Sequence, residues 1–313
     1  MANEIVRTLN YLCMGNETDW GQLPDPATYF HIPVLNYTVV AIPQERTADP
    51  FVGFMGQAQR NTPMYHVAGR LTAPLYGWKP TNLSTSIMQF LIDWGFGNQQ
   101  TLATPSKFAE WAEGPNVANK RHLGLRVDQA TIMGSADLKT FVIDLALQGQ
   151  SEVGSFSAQT LPTNRNKLVE PQFPAGVFTL NGSTIKLKSI QLTVARKLQV
   201  EWLNSTTPYL ILATNYLMGF KAVPAKNADT YDAYRRNIGS TEYTGVLEIT
   251  ANHNGTGSVD TTNTVATITM NRLGWRGTGE VGQKNQIAFQ EIDHIGLKPD
   301  TSDQDLTIVY TES

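Results

Sequence analysis

The chain has 313 residues, which is enough for two domains of ordinary size or for one large all-β body. Apolar residues make up 41% of it, which supports a hydrophobic core and excludes a disordered chain. The 24 Lys and Arg residues against 27 Asp and Glu residues give a formal net charge of −3, which argues against a protein that binds duplex DNA by neutralising its phosphates.

Cysteine and histidine usage excludes the commonest metal and disulfide chemistry. Cys13 is the only cysteine, so neither a disulfide framework nor a cysteine-built zinc site is expected, and a reducing cytoplasm is the predicted place of folding. The histidines show none of the spacings by which one element presents two ligands to a metal; they are His31, His66, His122, His253 and His294. We therefore expect no metal and no cofactor.

Secretion and membrane insertion are not predicted. Residues 1–20 are interrupted by charged side chains and lack the apolar run of a signal peptide. The most apolar stretch, 209–220, is too short to span a bilayer and contains polar residues and a glycine.

Alternation of apolar and polar residues predicts strands along most of the chain. Charged residues make up only 16%, and low charge with many Thr, Gly, Asn and Gln is typical of sheet-rich, self-associating proteins. In the clearest predicted strand, 139–148, every second residue from Phe141 to Leu147 is apolar. The other predicted strands are 37–42, 65–75, 125–133, 185–200, 245–251, 265–270 and 306–311. Gly and Pro between them favour antiparallel connections.

One amphipathic helix is predicted over residues 84–94. Its apolar residues follow a helical period and are Ile87, Phe90, Leu91 and Trp94. Ser84 is the predicted N-cap, and Gly95 is the predicted stop. We expect this helix to lie across a sheet. A second short helix is predicted over 227–237, and 101–120 is predicted to be irregular, with Trp111 anchoring a turn.

The two halves of the chain resemble each other weakly. A strand ending at Ile42 leads through an irregular insert to 67–74, and the segment 192–201 leads through another insert to 243–250. The segments 129–132 and 191–194 are also similar, but out of phase with the first pair.

These similarities predict a β domain over 1–154, a linker over 155–174 and a second β domain over 175–313. The second domain is a diverged repeat if the duplication is real, and an unduplicated chain stays open as the alternative.

Catalytic signatures are missing from the sequence, and no enzyme is predicted. There is no Gly-x-Ser-x-Gly elbow, and Cys13 has no feature of a nucleophile. The segment 277–282 matches the dinucleotide fingerprint but lacks its strand-to-helix setting, so a glycine-rich turn is predicted. The carboxylates Asp128, Asp144 and Glu248 are interpreted as solvated groups on strand faces rather than as acid–base catalysts.

The segment 43–63, between the first two predicted strands, is long for a loop without secondary structure, and such loops are usually functional. It mixes charges with large apolar side chains, a composition typical of interfaces. The predicted interface residues are Arg46, Asp49, Phe51, Phe54, Met55 and Arg60. The alternative is a loop that folds onto its own domain.

The order of these elements resembles that of the major tail tube proteins of long flexible-tailed (siphovirus-type) bacteriophages. The similarity lies in the strand with Gly69–Tyr76, the helix with Phe90–Gly95 and the strand pair 123–132 and 138–148. It covers residues 30–150 well and the remainder loosely. It implies a tail-tube-type antiparallel β-sandwich or barrel with a flanking helix. It further implies a virion protein that is assembled in the host bacterial cytoplasm, as stacked rings forming the conduit for DNA ejection.

The resemblance also implies partners. Copies of the chain would form rings of six, or of three with pseudo-sixfold symmetry if the chain is duplicated, and the loop 43–63 would reach the adjoining ring. A tape measure protein, a tail terminator and distal tail proteins are the other implied partners. DNA would pass without specific binding, and no membrane is involved.

A tube lining that lets DNA pass should repel phosphate, so we expect a mildly acidic face rich in Thr and Gln. The predicted lumen residues oppose the apolar faces of their strands and are Gln129, Thr140, Asp144 and Gln148. The alternative is that this polar face meets a neighbouring subunit. Two other classes of protein stay open, a capsid decoration or receptor-binding β-protein and an enzyme on a β scaffold.

Overall fold

The computed structural model of the protein describes residues 11–23, 29–44, 64–78, 85–97, 106–112, 119–154, 171–203, 205–214, 216–224, 243–252, 263–284, 287–296 and 306–312. These residues form one α-helix, α1 (Ile87–Phe96), and a 3-10 turn (Phe173–Ala175). The first strands are β1 (Tyr11–Asn16), β2 (Phe30–Ile32), β3 (Asn36–Tyr37), β4 (Val40–Gln44), β5 (Met64–Pro74), β6 (Lys107–Ala112), β7 (Lys120–Ser135), β8 (Phe141–Gly149) and β9 (Ser151–Gly154). The remaining strands are β10 (Val177–Leu180), β11 (Ser183–Thr184), β12 (Leu187–Ala195), β13 (Leu198–Glu201), β14 (Leu210–Ala213), β15 (Leu217–Pro224), β16 (Tyr243–Asn252), β17 (Asn263–Lys284), β18 (Ile287–Gly296) and β19 (Leu306–Glu312).

The strands pair antiparallel throughout the described residues. Period-two alternation produces this arrangement, because alternate side chains of one strand point to opposite faces of its sheet. In β8, Ile143, Leu145 and Leu147 are buried while Asp144 and Gln148 are only half-buried. The predicted mainly β, antiparallel fold with a flanking α-helix is therefore confirmed.

Strands β1–β9 form two sheets that share the long strand β7. The first part of β7 pairs with β6 and β9, and β6 continues through β1 to β2. The second part of β7 pairs with β8, which continues through β5 to β3 and β4. A β-bulge at Asp128 lies just after this change of partner, and bulges bend a strand so that it can change sheets. We call β1–β9 together with α1 the first unit.

Strands β10–β19, the second unit, repeat these pairings. The long strand is β17, whose first part pairs with β16 and β19, and β16 continues through β10 to β11. Its second part pairs with β18, which continues through β15 to β12. A bulge at Arg276 of β17 corresponds to the bulge at Asp128 of β7. The hairpin β13–β14 is added to this plan in the second unit.

The unit pattern corrects the sequence-level match between the two halves. The equivalent of 67–74 is β15, which pairs with β18 as β5 pairs with β8, and not the segment 243–250. The similar segments 129–132 and 191–194 are hydrogen-bonded neighbours in β7 and β12 rather than repeats of each other. The two segments have similar sequences because both strands place polar side chains on the same face of the sheet.

The predicted linker lies only partly within the described residues, which begin again at Pro171. Gln172 forms a bridge with Thr140, and the ring of Phe173 lies 5.4 Å from the ring of Phe141. This part of the segment therefore packs against the first unit. The predicted division at 155–174 stays a prediction.

The two units join edge to edge at a strand pair that we call the junction. In the junction β12 pairs with β7, with Thr193 opposite Thr131 and Gln191 opposite Met133. One continuous sheet therefore runs in the order β4, β5, β8, β7, β12, β15, β18, β17. It contains eight strands, four from each unit.

The helix α1 lies against β7 and β8, as predicted, but its ends differ from the prediction. Ser86, not Ser84, is the N-cap, and its side chain accepts a hydrogen bond from the Gln89 amide at 3.1 Å. Gly95 lies inside the helix rather than after its end. A Cβ at this position would stand 3.0 Å from Ala130 and 3.1 Å from Leu145. The glycine therefore permits close packing on the sheet and does not end the helix.

Other sequence-level expectations also change. Trp111 belongs to β6 and does not anchor a turn. The glycine-rich segment 277–282 lies within β17, so it is neither a turn nor a strand-to-helix connection that could hold a dinucleotide. The predicted strand 185–200 is interrupted after β12, where Lys197 has a φ of 48°. The predicted helix over 227–237 lies outside the described residues.

Candidate functional surface

From β5 to β15 the continuous sheet has one apolar face, covered by α1 and the core, and one polar face. We define the polar face by the half-buried and exposed polar side chains that alternate with buried apolar ones, together with Thr131. Its described members include Arg70, Thr72, Gln129, Thr131, Asp144, Gln148, Gln191, Thr193 and Lys221. They come from β5, β7, β8, β12 and β15, so this surface is built by both units.

Hydrogen bonds between side chains run across the strands of the polar face. Thr72, Asp144, Thr131 and Thr193 occupy successive cross-strand positions. The Thr72 hydroxyl donates to Asp144 Oδ1 at 2.8 Å, and the hydroxyl oxygens of Thr131 and Thr193 lie 3.2 Å apart across the junction. Gln129 Nε2 donates to the Thr131 hydroxyl at 3.4 Å. Polar side chains thus satisfy one another along the surface.

The polar face carries charged as well as neutral residues. Arg70 Nη1 lies 3.2 Å from Asp144 Oδ2, and the Arg70 side chain is 61% exposed, so this pair is screened by water. Lys221 is another charged member, and Asp293 of β18 stands opposite it in register on the same face. The mildly acidic character that we expected of a tube lining stays a prediction.

Three of the four predicted lumen residues lie on this polar face. Gln129, Asp144 and Gln148 are half-buried members of it. Thr140 is only 8% exposed, and its hydroxyl donates to the Pro171 carbonyl at 2.9 Å, so it offers no surface to a lumen. The alternation within one strand could not reveal that Thr140 is covered, because the covering residue, Pro171, is distant in sequence.

The six predicted interface residues of the loop 43–63 cannot be placed in the same way. Arg46, Asp49, Phe51, Phe54, Met55 and Arg60 all lie outside the described residues. Their role stays a prediction.

Sequence reasoning missed most members of the polar face. Thr131 follows Gln129 at the spacing of two that places both on one side, so alternation alone could have found it. Thr193 and Gln191 were accessible only through the pairing of β12 with β7, which no local pattern predicts.

The other two carboxylates singled out in the sequence, Asp128 and Glu248, lie on different strands. Asp128 Oδ1 accepts from the Leu198 amide at 2.6 Å, and its carbonyl accepts from the Arg196 amide at 2.7 Å. Glu248 is half-buried in β16 and pairs in register with Val177 and Thr267. Nothing in these arrangements forms an acid–base pair.

Cys13 and the histidines are likewise placed in structural surroundings. Cys13 is buried, and burial, followed by the nearby Glu110 carboxylate, raises the pKa of its thiol to about 12, which disfavours the thiolate at neutral pH. His31 is buried in β2, and the His66 ring lies 6.3 Å from that of Trp202. His294 belongs to β18, and His253 lies outside the described residues.

His122 forms a buried hydrogen-bonded cluster beside strand β4. Its Nε2 donates to Glu152 Oε2 at 3.2 Å, because a carboxylate can only accept, and its Nδ1 lies 2.6 Å from the Tyr37 hydroxyl. The Tyr37 hydroxyl can donate to Nδ1 only while the ring is neutral. Burial lowers the pKa of His122, although the Glu152 carboxylate opposes the shift.

We expect this buried histidine to make the protein less stable in mild acid. The unfolded chain takes up a proton on His122 near pH 6.5, whereas the folded chain does so only at lower pH. The unfolded state therefore binds more protons between those two values, and the free energy of unfolding falls as the pH is lowered through this window. Urea unfolding at several pH values between about 7.5 and 5.5 should show a weaker pH dependence for His122→Gln than for the natural chain. Equal slopes would contradict the neutral assignment.

The described residues contain no group of three or more His, Cys, Asp or Glu side chains placed to hold a metal ion. Within the same ranges no helix has the length and apolarity needed to cross a bilayer. No protein-family model matches the chain, and a comparison with curated proteins finds no match.

Proposed function

We propose that this protein is a structural virion protein whose copies form stacked rings, and that these rings build the hollow tail tube of a long flexible-tailed bacteriophage. The observation that carries the proposal is the repeated unit. A single chain contains two units with the same strand pairings, joined edge to edge in one sheet. It therefore already contains a side-by-side contact of the kind from which a ring of units is built.

Ring closure has a physical advantage for such a sheet. Open strand edges expose unpaired backbone groups and favour aggregation, and closing the sheet removes the edges. Three copies with eight strands each would contribute 24 strands, and barrels of about 16–18 strands already enclose an aqueous channel. Three copies would also present six units around the axis, which is the pseudo-sixfold ring expected from the resemblance.

The polar face suits a passage for DNA if it lines the channel. Hydroxyl and amide groups such as those of Thr193 and Gln129 are neutral and already bonded to neighbours, so they do not neutralise phosphate. Arg70 is paired with Asp144. The proposed mechanism is therefore physical, since DNA moves along a wettable surface without being bound.

The proposed setting follows from this function. The protein would act in the phage tail after assembly in the host cytoplasm, with a tape measure protein, a tail terminator and distal tail proteins as its partners. It would have no enzymatic activity and would use no cofactor.

Negative-stain microscopy and light scattering of the purified protein test the proposal. We expect rings or tubes with a stain-filled channel, in equilibrium with a 34.5 kDa chain. Replacing Arg46 and Asp49 together by alanine is expected to impair polymerisation while the soluble chain stays folded, because these residues lie in the loop expected to reach the next ring. Compact monomers or trimers without a channel, at every concentration, would contradict the proposal and favour a decoration or receptor-binding protein.

A further inference from the structure

We infer that copies of this chain join head to tail through one defined strand pair, β4 of one copy with the second part of β17 of the next. The register would be that of the junction between β12 and β7. This inference rests on the proposed self-assembly and adds which edges meet and which residues oppose each other.

The first step is the equivalence of β4 and β12. Val40 pairs with Ala68 of β5, which pairs with Gln148 of β8. In the second unit Thr193 pairs with Gly219 of β15, which pairs with Ile295 of β18. The strand β3 continues the correspondence, because Tyr37 opposes Leu71 as Ile190 opposes Ala222. Residues 36–42 of the first unit thus occupy the positions of residues 189–195 of the second.

The second step is the equivalence of β7 and β17. Each long strand has its bulge at the same place relative to its hairpin partner, at Asp128 in β7 and at Arg276 in β17. The third residue after each bulge is Thr131 in the first unit and Gly279 in the second. The correspondence holds before the bulge as well, since Leu125 and Leu273 are both fully buried.

The third step concerns the edges that remain. Strands β12 and β7 pair with each other, whereas their equivalents have no such partner within the part of the chain that the structure describes. There β4 pairs only with β5, and the residues of β17 after its bulge pair only with β18. The continuous sheet therefore ends on one side with the counterpart of β12 and on the other with the counterpart of β7. A second copy supplies the edge that each one lacks.

The edge strand β4 exposes side chains of the kind that a sheet usually packs against a neighbouring strand. Val40 is 46% and Ile42 is 39% exposed, and both are β-branched residues suited to a sheet. The Ala41 amide donates to Glu152 Oε2 at 3.2 Å. A charged side chain thus protects this edge in the isolated chain. In the inferred pairing a backbone carbonyl of β17 would accept from the Ala41 amide in place of the Glu152 carboxylate.

Transfer of the junction register gives specific neighbours. Because Thr193 opposes Thr131, Val40 should oppose Gly279 of the next copy. Because Gln191 opposes Met133, Thr38 should oppose Val281. The two surfaces in this contact differ, so the contact is heterologous and propagates from copy to copy until it closes a ring.

Disulfide cross-linking tests both the edges and the register. Directly opposed residues of antiparallel strands lie about 4.5–5.5 Å apart at Cα, which a disulfide can span. The natural chain gives a clean background, because Cys13 is buried. The variants are Val40→Cys with Gly279→Cys and, independently, Thr38→Cys with Val281→Cys. The out-of-register control combines Val40→Cys with Thr278→Cys, whose side chains should point to opposite faces of the shared sheet.

Mild oxidation of the assembled protein should give a covalent series in both in-register variants, closing at three copies if the ring has three. A mixture of the single variants Val40→Cys and Gly279→Cys should give dimers only, because each copy then has one reactive edge. Failure of both in-register variants to cross-link, or equal cross-linking of the control, would overturn the inference.

Microscopy of the natural chain separates this inference from the proposed function. Tubes without in-register cross-links would leave the function standing and remove the inferred edges. An in-register covalent series from a protein that forms no tubes would support the inferred pairing and remove the tube function.

Discussion

Replacing Arg196 by methionine is expected to lower the free energy of unfolding by about 3 kcal/mol. Arg196 follows β12 in the second unit, and its guanidinium is buried against the first unit. Nη1 donates to the Val127 carbonyl at 3.0 Å, and Nη2 donates to the carbonyls of Gly95 at 2.9 Å and Trp94 at 3.4 Å. Methionine has a similar volume but no donor, so these buried carbonyls would lose a partner.

The position of this cation adds to its effect. The Trp94 and Gly95 carbonyls belong to the last turn of α1, where a positive charge is favoured by the helix dipole. Burial lowers the pKa of Arg196 to about 10, with Tyr216 and Asp128 opposing the shift, so the guanidinium stays charged at neutral pH. Arg196 therefore holds α1 and β7 of the first unit to the strand that forms the junction.

Urea unfolding of Arg196→Met against Lys186→Met measures this contribution. Lys186 is an exposed cation of the same unit, and its replacement should change the free energy of unfolding by less than about 0.5 kcal/mol. Hydrogen exchange should also become faster at the C-terminal end of α1 and along β12 in the Arg196 variant. A loss no larger than that of the control would show that water replaces the guanidinium at these carbonyls.

The strands were predictable where alternation is long and uninterrupted. The segments 139–148 and 306–311 match β8 and β19 closely, because a run of alternating residues leaves few other ways to bury one face. The two-residue strand β11 was missed, since so short a strand carries no period of its own. The helix was found from its apolar stripe, but Gly95 was misassigned because its close contact with β7 is a tertiary feature.

The polar face was only partly predictable for a related reason. Alternation identifies which side chains of one strand share a face, and this was enough for Gln129 and Asp144. It does not give the register between distant strands, so the contact of Thr131 with Thr193 could not be anticipated. Local composition also gives no sign that a charged residue is buried, which is why Arg196 was not singled out in the sequence.

A half-buried cation supports the sheet that contains β1 and β6. Glu110 of β6 is fully buried, and Arg121 of β7 provides its counter-charge. Arg121 Nη2 lies 2.5 Å from Glu110 Oε1, and Arg121 Nε donates to the same oxygen at 2.7 Å. The Tyr29 hydroxyl also donates to this oxygen, at a longer distance of 3.4 Å. Removing Arg121 would leave a buried carboxylate without its cation.

Replacing Arg121 by methionine is therefore expected to cost about 3–5 kcal/mol, whereas Arg70→Met should cost less than about 1 kcal/mol. Both arginines pair with a carboxylate on a neighbouring strand, but the Arg70 side chain is 61% exposed and that of Arg121 is 19% exposed. The difference in unfolding free energy between these variants measures what burial adds to an ion pair.

Combining Arg121→Met with Glu110→Gln tests the physical cause. A neutral amide needs no counter-charge, so the double variant should be more stable than Arg121→Met alone, which gives a coupling energy in a double-mutant cycle. If the two replacements were simply additive, the loss in Arg121→Met would have to come from packing of the arginine stem against β6 and not from the uncompensated charge.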